Sequence, residues 1–247
     1  MDQRQATRSL GIIGGMSWVS TAEYYRQLNR AVGTARGRQH SADLWLASVD
    51  FQEIVDAQVS GAWDQAGELL AEKARGLERA GAGAFLIASN TMHKVLAQVK
   101  NAVAIPPLDI FDATATAVLA RGLVRVGLLG TRYTMSDGFF REEYRRRGVD
   151  VFVPEPDDAH SVNEIIFREL IHGIVTPESV TLYASVIGRL AAAGAEGVIL
   201  GCTEINLLVP TAGGPLPIFD TTALHVAAAA QWLLMPGPHG AGPWPSR

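Results

Sequence analysis

The sequence predicts an α/β protein made of two similar halves, and three observations lead there. Short apolar runs alternate with stretches of helical spacing, as parallel strands do when helices cover both faces of their sheet. Segments also recur in one order. GIIGGMSW from Gly11 matches GLLGTRYT from Gly127, GAGAFLIASNTMH from Gly81 matches GAEGVILGCTEI from Gly194, and IFDAT from Ile110 matches IFDTT from Ile218. The offsets of 116, 113 and 108 residues argue for an internal repeat. Finally, Cys202, the only cysteine, closes one such apolar run, and Ser89 holds the matching place in the other copy. Strand ends of this kind are where open α/β sheets bind ligands. If the halves face each other, Ser89 and Cys202 point into one cleft.

Taken in order, Ser9–Ile13 reads as the first strand, and Gly14-Gly15 supplies a turn where backbone can approach a ligand. Met16, Ser17 and Trp18 lead into a helix with Tyr24, Tyr25, Leu28 and Val32 on one buried face. Ser20 or Thr21 is the expected cap. The glycine turn lacks GxGxxG spacing and no P-loop is present, so a nucleotide site is set aside. Leu44–Val49 is the second strand, and the helix Ala62–Arg79 carries a solvated charged face. The third strand, Ala84–Ala88, runs into Ser89-Asn90-Thr91, and His93–Val103 is helical. Pro106 and Pro107 cannot sit inside a helix, so the segment around them leaves the first half.

In the second half Val124–Gly130 is the first strand and Tyr133–Arg147 its helix. Arg145, Arg146 and Arg147 suit the negative end of that helix. A strand Val149–Val153 and two helices lead to Gly194, where the last helix ends. Gly197–Leu200 is a strand buried on both faces, Gly201 allows a tight turn, and Cys202, Thr203 and Glu204 open the next helix. A helix start favours an anion and lowers a thiol's pKa. The alanine-rich helix Thr222–Leu234 crosses back onto the first half. The expected organisation is therefore 1–107 with 219–235, then 108–218, with a flexible tail over 236–247.

Composition limits the function classes. The 247 residues are 48% hydrophobic and 19% charged with a formal net charge of −4, which gives no electrostatic reason to expect nucleic acid or an anionic membrane as partner. One cysteine excludes an intramolecular disulfide and a cysteine-based zinc site, and fits a reducing compartment. No signal peptide or membrane span is evident, so the cytoplasm is the expected location.

GGMSW, HSADLWLASVDF, SNTMHKV and GCTEI, in this order and spacing, resemble the aspartate/glutamate racemase family, most closely its amino-acid racemase branch. The resemblance covers about Leu10 to Leu234. It implies two flavodoxin-like halves related by a pseudo-two-fold, an active site in the cleft between them, no cofactor and no metal, and a homodimer. It places the two acid/base residues at Ser89 and Cys202. Contacts to a small amino acid or dicarboxylate would fall on Asn90, Thr91, Thr131 and Thr203, with Met16, Ser17 and Glu204 completing the substrate-binding set.

Racemisation without pyridoxal phosphate needs one group to remove the α-proton and another to return a proton on the opposite face. Convergent hydroxyl and N–H donors would stabilise the dianion that forms. Two positions depart from the family pattern. Many members have cysteine at both acid/base sites, whereas Ser89 is a weak base unless assisted; His93, four residues on, is a candidate helper. Val19 replaces a glutamate near the mouth of the expected cleft. Arg168 is a candidate for a distal carboxylate. Two other readings of the same residues are kept. One is an enzyme of this fold using a single cysteine, either an arylmalonate-type decarboxylase or a cis–trans isomerase with a thiol nucleophile. The other is a non-catalytic ligand-binding protein.

Overall fold

The computed structural model describes residues 8–209 and 216–236. Most of the polar N-terminal run and the expected tail beyond Pro236 lie outside the described residues. The chain divides into two compact units, one made of residues up to Asp109 and from Val226 on, the other of Ile110–His225.

In the first unit β1 (Leu10–Gly14), α1 (Trp18–Arg36), β2 (Leu44–Ser48), α2 (Phe51–Ser60), α3 (Trp63–Arg79) and β3 (Ala84–Ile87) alternate. A 3-10 turn, Thr91–Val95, and α4 (Leu96–Asn101) follow. The sheet is parallel with order β2-β1-β3. Strand alternation sends side chains to both faces. Ile13, Phe85 and Ile87 pack with Ile54, Leu70, Ala74 and Leu77 on one side. Leu10, Ile12 and Leu86 pack with Tyr24, Leu28 and the helix Thr221–Leu234 on the other. Burial on both faces is why these strands read as continuous apolar runs.

In the second unit α5 (Ile110–Ala120) precedes β4 (Arg125–Leu129), α6 (Arg132–Ser136), α7 (Gly138–Arg146) and β5 (Asp150–Phe152). Then come α8 (Pro156–Arg168), a 3-10 turn Leu170–His172, α9 (Pro177–Ala192), β6 (Val198–Leu200) and a second 3-10 turn, Thr203–Leu207. β7 (Ile218–Asp220) completes it, and α10 (Thr221–Leu234) starts in this unit and passes into the first at Val226. The sheet is again parallel, with order β5-β4-β6-β7.

Backbone bonds establish the repeat residue by residue. Gly83 N donates to Ser9 O and Glu196 N to Arg125 O, both at 2.8 Å; Ala88 N donates to Ile13 O at 2.9 Å and Gly201 N to Leu129 O at 2.7 Å. These pairs preserve the 116- and 113-residue offsets and make Ser89 and Cys202 equivalent. The third sequence match fails. Phe85 is bridged to Pro107 whereas its counterpart Val198 pairs with Ile218, so Ile218 corresponds to Pro107 and not to Ile110. Ile110 instead starts α5, and Ile110 and Phe111 are buried as helix residues. Both are apolar residues preceding an aspartate, a pattern that serves a strand or the first turn of a helix equally well.

Other expectations are corrected. Ser17, not Ser20 or Thr21, caps α1, accepting from Ser20 N. Tyr25 is 56% exposed, so the buried stripe of α1 is Tyr24, Leu28 and Val32. Helix Tyr133–Arg147 is broken at Asp137, whose carboxylate caps α7 at Phe139 N (3.0 Å). The segment after Phe51 forms α2, which the sequence reading passes over, capped by Asp50. The arginine run is structural: Arg145 and Arg146 pair with Glu142, and Arg147 with Glu143 and Asp112.

Candidate active site

β4 and β6 lie side by side with Leu129 opposite Leu200. Two residues further on, this register brings Thr131 and Cys202 out of the same sheet edge. Gly201 precedes the cysteine with an ordinary backbone conformation; it is there for space, since a Cβ would come within 3.1 Å of the Thr134 side chain. Cys202 itself is extended (φ −147°, ψ 132°) and leads into the 3-10 turn Thr203–Leu207.

The Cys202 thiol donates to Oε2 of Glu204 at 3.0 Å. This corrects the expectation of a lowered thiol pKa. Burial pushes the thiol well above its ordinary range, the Glu204 charge and hydrogen bond push the same way, and the backbone N–H groups of Glu204 and Ile205 only partly oppose them. A five-residue 3-10 turn has too little aligned dipole to reverse that balance. Cys202 keeps some exposed surface and packs against the apolar core of the second unit. Cys202 rests as a thiol with its proton on the path to Glu204.

Thr131 stands at the N-cap of α6 with Oγ1 3.3 Å from Thr134 Oγ1. Thr203 begins the turn after Cys202. Behind the cysteine Tyr183 is fully buried, and its hydroxyl donates to Val162 O at 3.2 Å. Burial, then the charge that Cys202 takes on once it ionises and the charge of Glu169, hold its phenol far above the usual range, so it stays protonated. An aromatic on the apolar face of α9 looks in the sequence like any core residue, so nothing there marks Tyr183 as a neighbour of Cys202. Arg132, the exposed residue after Thr131, stacks on Tyr133. Arg168 is paired with Glu164 on the surface of α8, its side chain 80% exposed, so it is a surface charge.

The first unit holds the other expected residues at the matching edge. Gly15 takes φ +95°, and its N–H donates to Thr21 Oγ1 (2.8 Å), which in turn donates to Ser17 O (2.9 Å). This fixes Met16, which is buried, and Ser17 at the start of α1. Ser89 follows β3, and its hydroxyl accepts from Met92 N at 3.4 Å. Asn90 and Thr91 sit at the start of the Thr91–Val95 turn. His93 is buried with Nδ1 2.7 Å from the Ser89 carbonyl oxygen, so Nδ1 carries a proton and donates. It reaches the backbone of Ser89 through this bond. Among the described residues no group of three or more His, Cys, Asp or Glu is placed to hold a metal, and no helix is long and apolar enough to cross a membrane.

This arrangement is similar to known proteins over most of its length. A proposed Asp/Glu racemase from Yersinia pestis superposes with a TM-score of 0.88 at 45% identity, covering 92% of this chain and all of its own. An aspartate racemase homologue from Pyrococcus horikoshii gives a TM-score of 0.81 at 32% identity, covering 92% of this chain and 99% of its own. A glycine-to-cysteine variant of arylmalonate decarboxylase shares the fold, with a TM-score of 0.55 at 12% identity over 91% of this chain and 92% of its own. The family model for Asp/Glu/Hydantoin racemase matches residues 13–229, and on that match the chain belongs to this family.

Proposed function

We propose that this protein is a cofactor-independent racemase of an acidic amino acid, with Cys202 and Ser89 acting on opposite faces of one α-carbon. The observation that carries this reading is the Cys202–Glu204 pair at the end of β6, with Ser89 at the register-equivalent position after β3. Glu204 takes the thiol proton, the thiolate takes the α-proton, and the carbanion is reprotonated from the Ser89 hydroxyl. Ser89 then recovers a proton through solvent from Glu204, which returns every group to its starting state. Asn90, Thr91, Thr131 and Thr203 bind the α-carboxylate in this reading, Met16 and Ser17 bound the pocket, and Arg132 receives the distal carboxylate. His93 holds Ser89 through its carbonyl.

The lone cysteine favours a reducing cytoplasm. A homodimer is supported by β2, an edge strand without charge or proline whose Trp45 and Leu46 are 42% and 52% exposed. The test is a screen of amino acids for deuterium incorporation at Cα, followed by chiral analysis. A racemase yields both enantiomers carrying solvent deuterium.

One observation favours a second reading. A thiol that rests protonated, with a hydroxyl rather than a second thiol at the equivalent place, suits delivery of one proton to one face after decarboxylation of a malonate-type acid. Such a reaction gives a single enantiomer.

A further inference from the structure

Resting on that reading of the site, we infer that Asn206 and Asp220 form a positioning pair that fixes the turn carrying Cys202 and Glu204. The turn Thr203–Leu207 is a single stretch of 3-10 helix, whose bonds are poorer than those of an α-helix, and no side chain caps it at Cys202. Two groups at the start of α10 hold it instead. Before the cysteine, Thr221 Oγ1 donates to the carbonyl of Leu200, the last residue of β6, at 2.8 Å. After it, Asn206 Nδ2 donates to Asp220 Oδ2 at 2.7 Å. Asp220 is itself immobilised, because its other oxygen accepts from Thr222 N at 2.8 Å and Ala223 N at 3.1 Å. One carboxylate thus ties the helix start and the reactive turn together.

The orientation of the Asn206 amide has one stable solution. Its Oδ1 is buried without a partner among the described residues. Turning the amide over would set that oxygen against the Asp220 carboxylate, where neither atom can donate. A buried acceptor is left unmade to keep the stronger bond to a charged partner. Asn206 touches no reacting atom, so its influence on the reaction passes through the geometry of Cys202 and Glu204.

The test exchanges the two side chains. Asn206→Asp sets two carboxylates against each other and releases the turn. The double variant Asn206→Asp with Asp220→Asn restores a donor–acceptor pair of reversed polarity, and Asn at 220 still accepts from the α10 N–H groups. Because Cys202 is the only cysteine, its alkylation by iodoacetamide reports the turn without any assay of turnover. Asn206→Asp should change the alkylation rate and lower kcat by about tenfold or more with KM little altered. The double variant should recover most of both. A single variant with wild-type alkylation and kcat, or a double variant no better than Asn206→Asp, overturns the pairing. Should alkylation follow the expected pattern while no variant, wild type included, exchanges an α-hydrogen, the positioning pair stands and the racemase reading falls.

Discussion

The sulfur of Cys202 lies 3.0 Å from Oε2 of Glu204, a carboxylate two residues ahead on the same turn. This contact sets the acid–base state of the site. It gives the thiol proton a destination, and it makes the thiolate costly until that proton has moved.

The pH dependence of thiol reactivity follows directly. Burial and the Glu204 charge raise the Cys202 pKa, so the reactive thiolate appears only at high pH. The alkylation rate of the native protein should keep climbing beyond pH 9.0, the ordinary value for a cysteine. Glu204→Gln removes the repelling charge and should move the curve to lower pH, while burial keeps it above that of a free thiol. A plateau near neutral pH in the native protein would contradict the raised pKa. The same Glu204→Gln variant should lose activity despite its more acidic thiol, since the proton acceptor is gone.

Ser89→Ala removes the hydroxyl that returns a proton on the second face. Inversion should fall by about a hundredfold or more, while slow exchange with retention persists at Cys202. Ser89→Cys should accelerate whichever direction the hydroxyl limits. Following deuterium at Cα together with enantiomer composition separates the two steps. Equal loss of exchange and inversion in Ser89→Ala would place Ser89 outside proton transfer.

Arg132→Ala tests the choice of substrate. A guanidinium binding a distal carboxylate contributes a charge-assisted bond, so KM for acidic amino acids should rise by about tenfold with kcat less affected. Neutral amino acids, if turned over at all, should show no such change. An unaltered preference would remove Arg132 from the pocket.

Trp45→Lys addresses assembly. A lysine on an edge strand discourages pairing with another copy. Light scattering should find a dimer in the wild type and a monomer in the variant. A wild-type monomer, or a dimer indifferent to the lysine, would rule out β2 as the contact.

Much of the fold is legible in the sequence because the inner strands of both sheets are buried on two faces, which makes β1, β3, β4 and β6 continuous apolar runs. The repeat assigns Ser89 and Cys202 to equivalent places, and the matched bonds Ala88–Ile13 and Gly201–Leu129 agree with that assignment. Short elements were harder to read. Five residues after Cys202 do not separate a 3-10 turn from an α-helix, and Ser17, Ser20 and Thr21 are all chemically able to cap. The IFDAT match slipped by three residues because Pro106 and Pro107 remove two ladder donors from the first sheet's edge, and the apolar pattern resumes only inside α5. The thiol pKa is not legible in the sequence for a different reason. Its sign depends on where the Glu204 carboxylate points, which residue order does not reveal. Asn206 and Asp220 were invisible for the same cause, since their bond joins two elements far apart in sequence.

The most direct measurement is deuterium wash-in at Cα from each enantiomer of an acidic amino acid, comparing the wild type with Cys202→Ser. The wild type should exchange the α-hydrogen and yield both enantiomers, and the variant should lose exchange from either enantiomer by at least about a hundredfold. Full exchange by Cys202→Ser would make the thiol a packing residue and contradict its role as an acid and base.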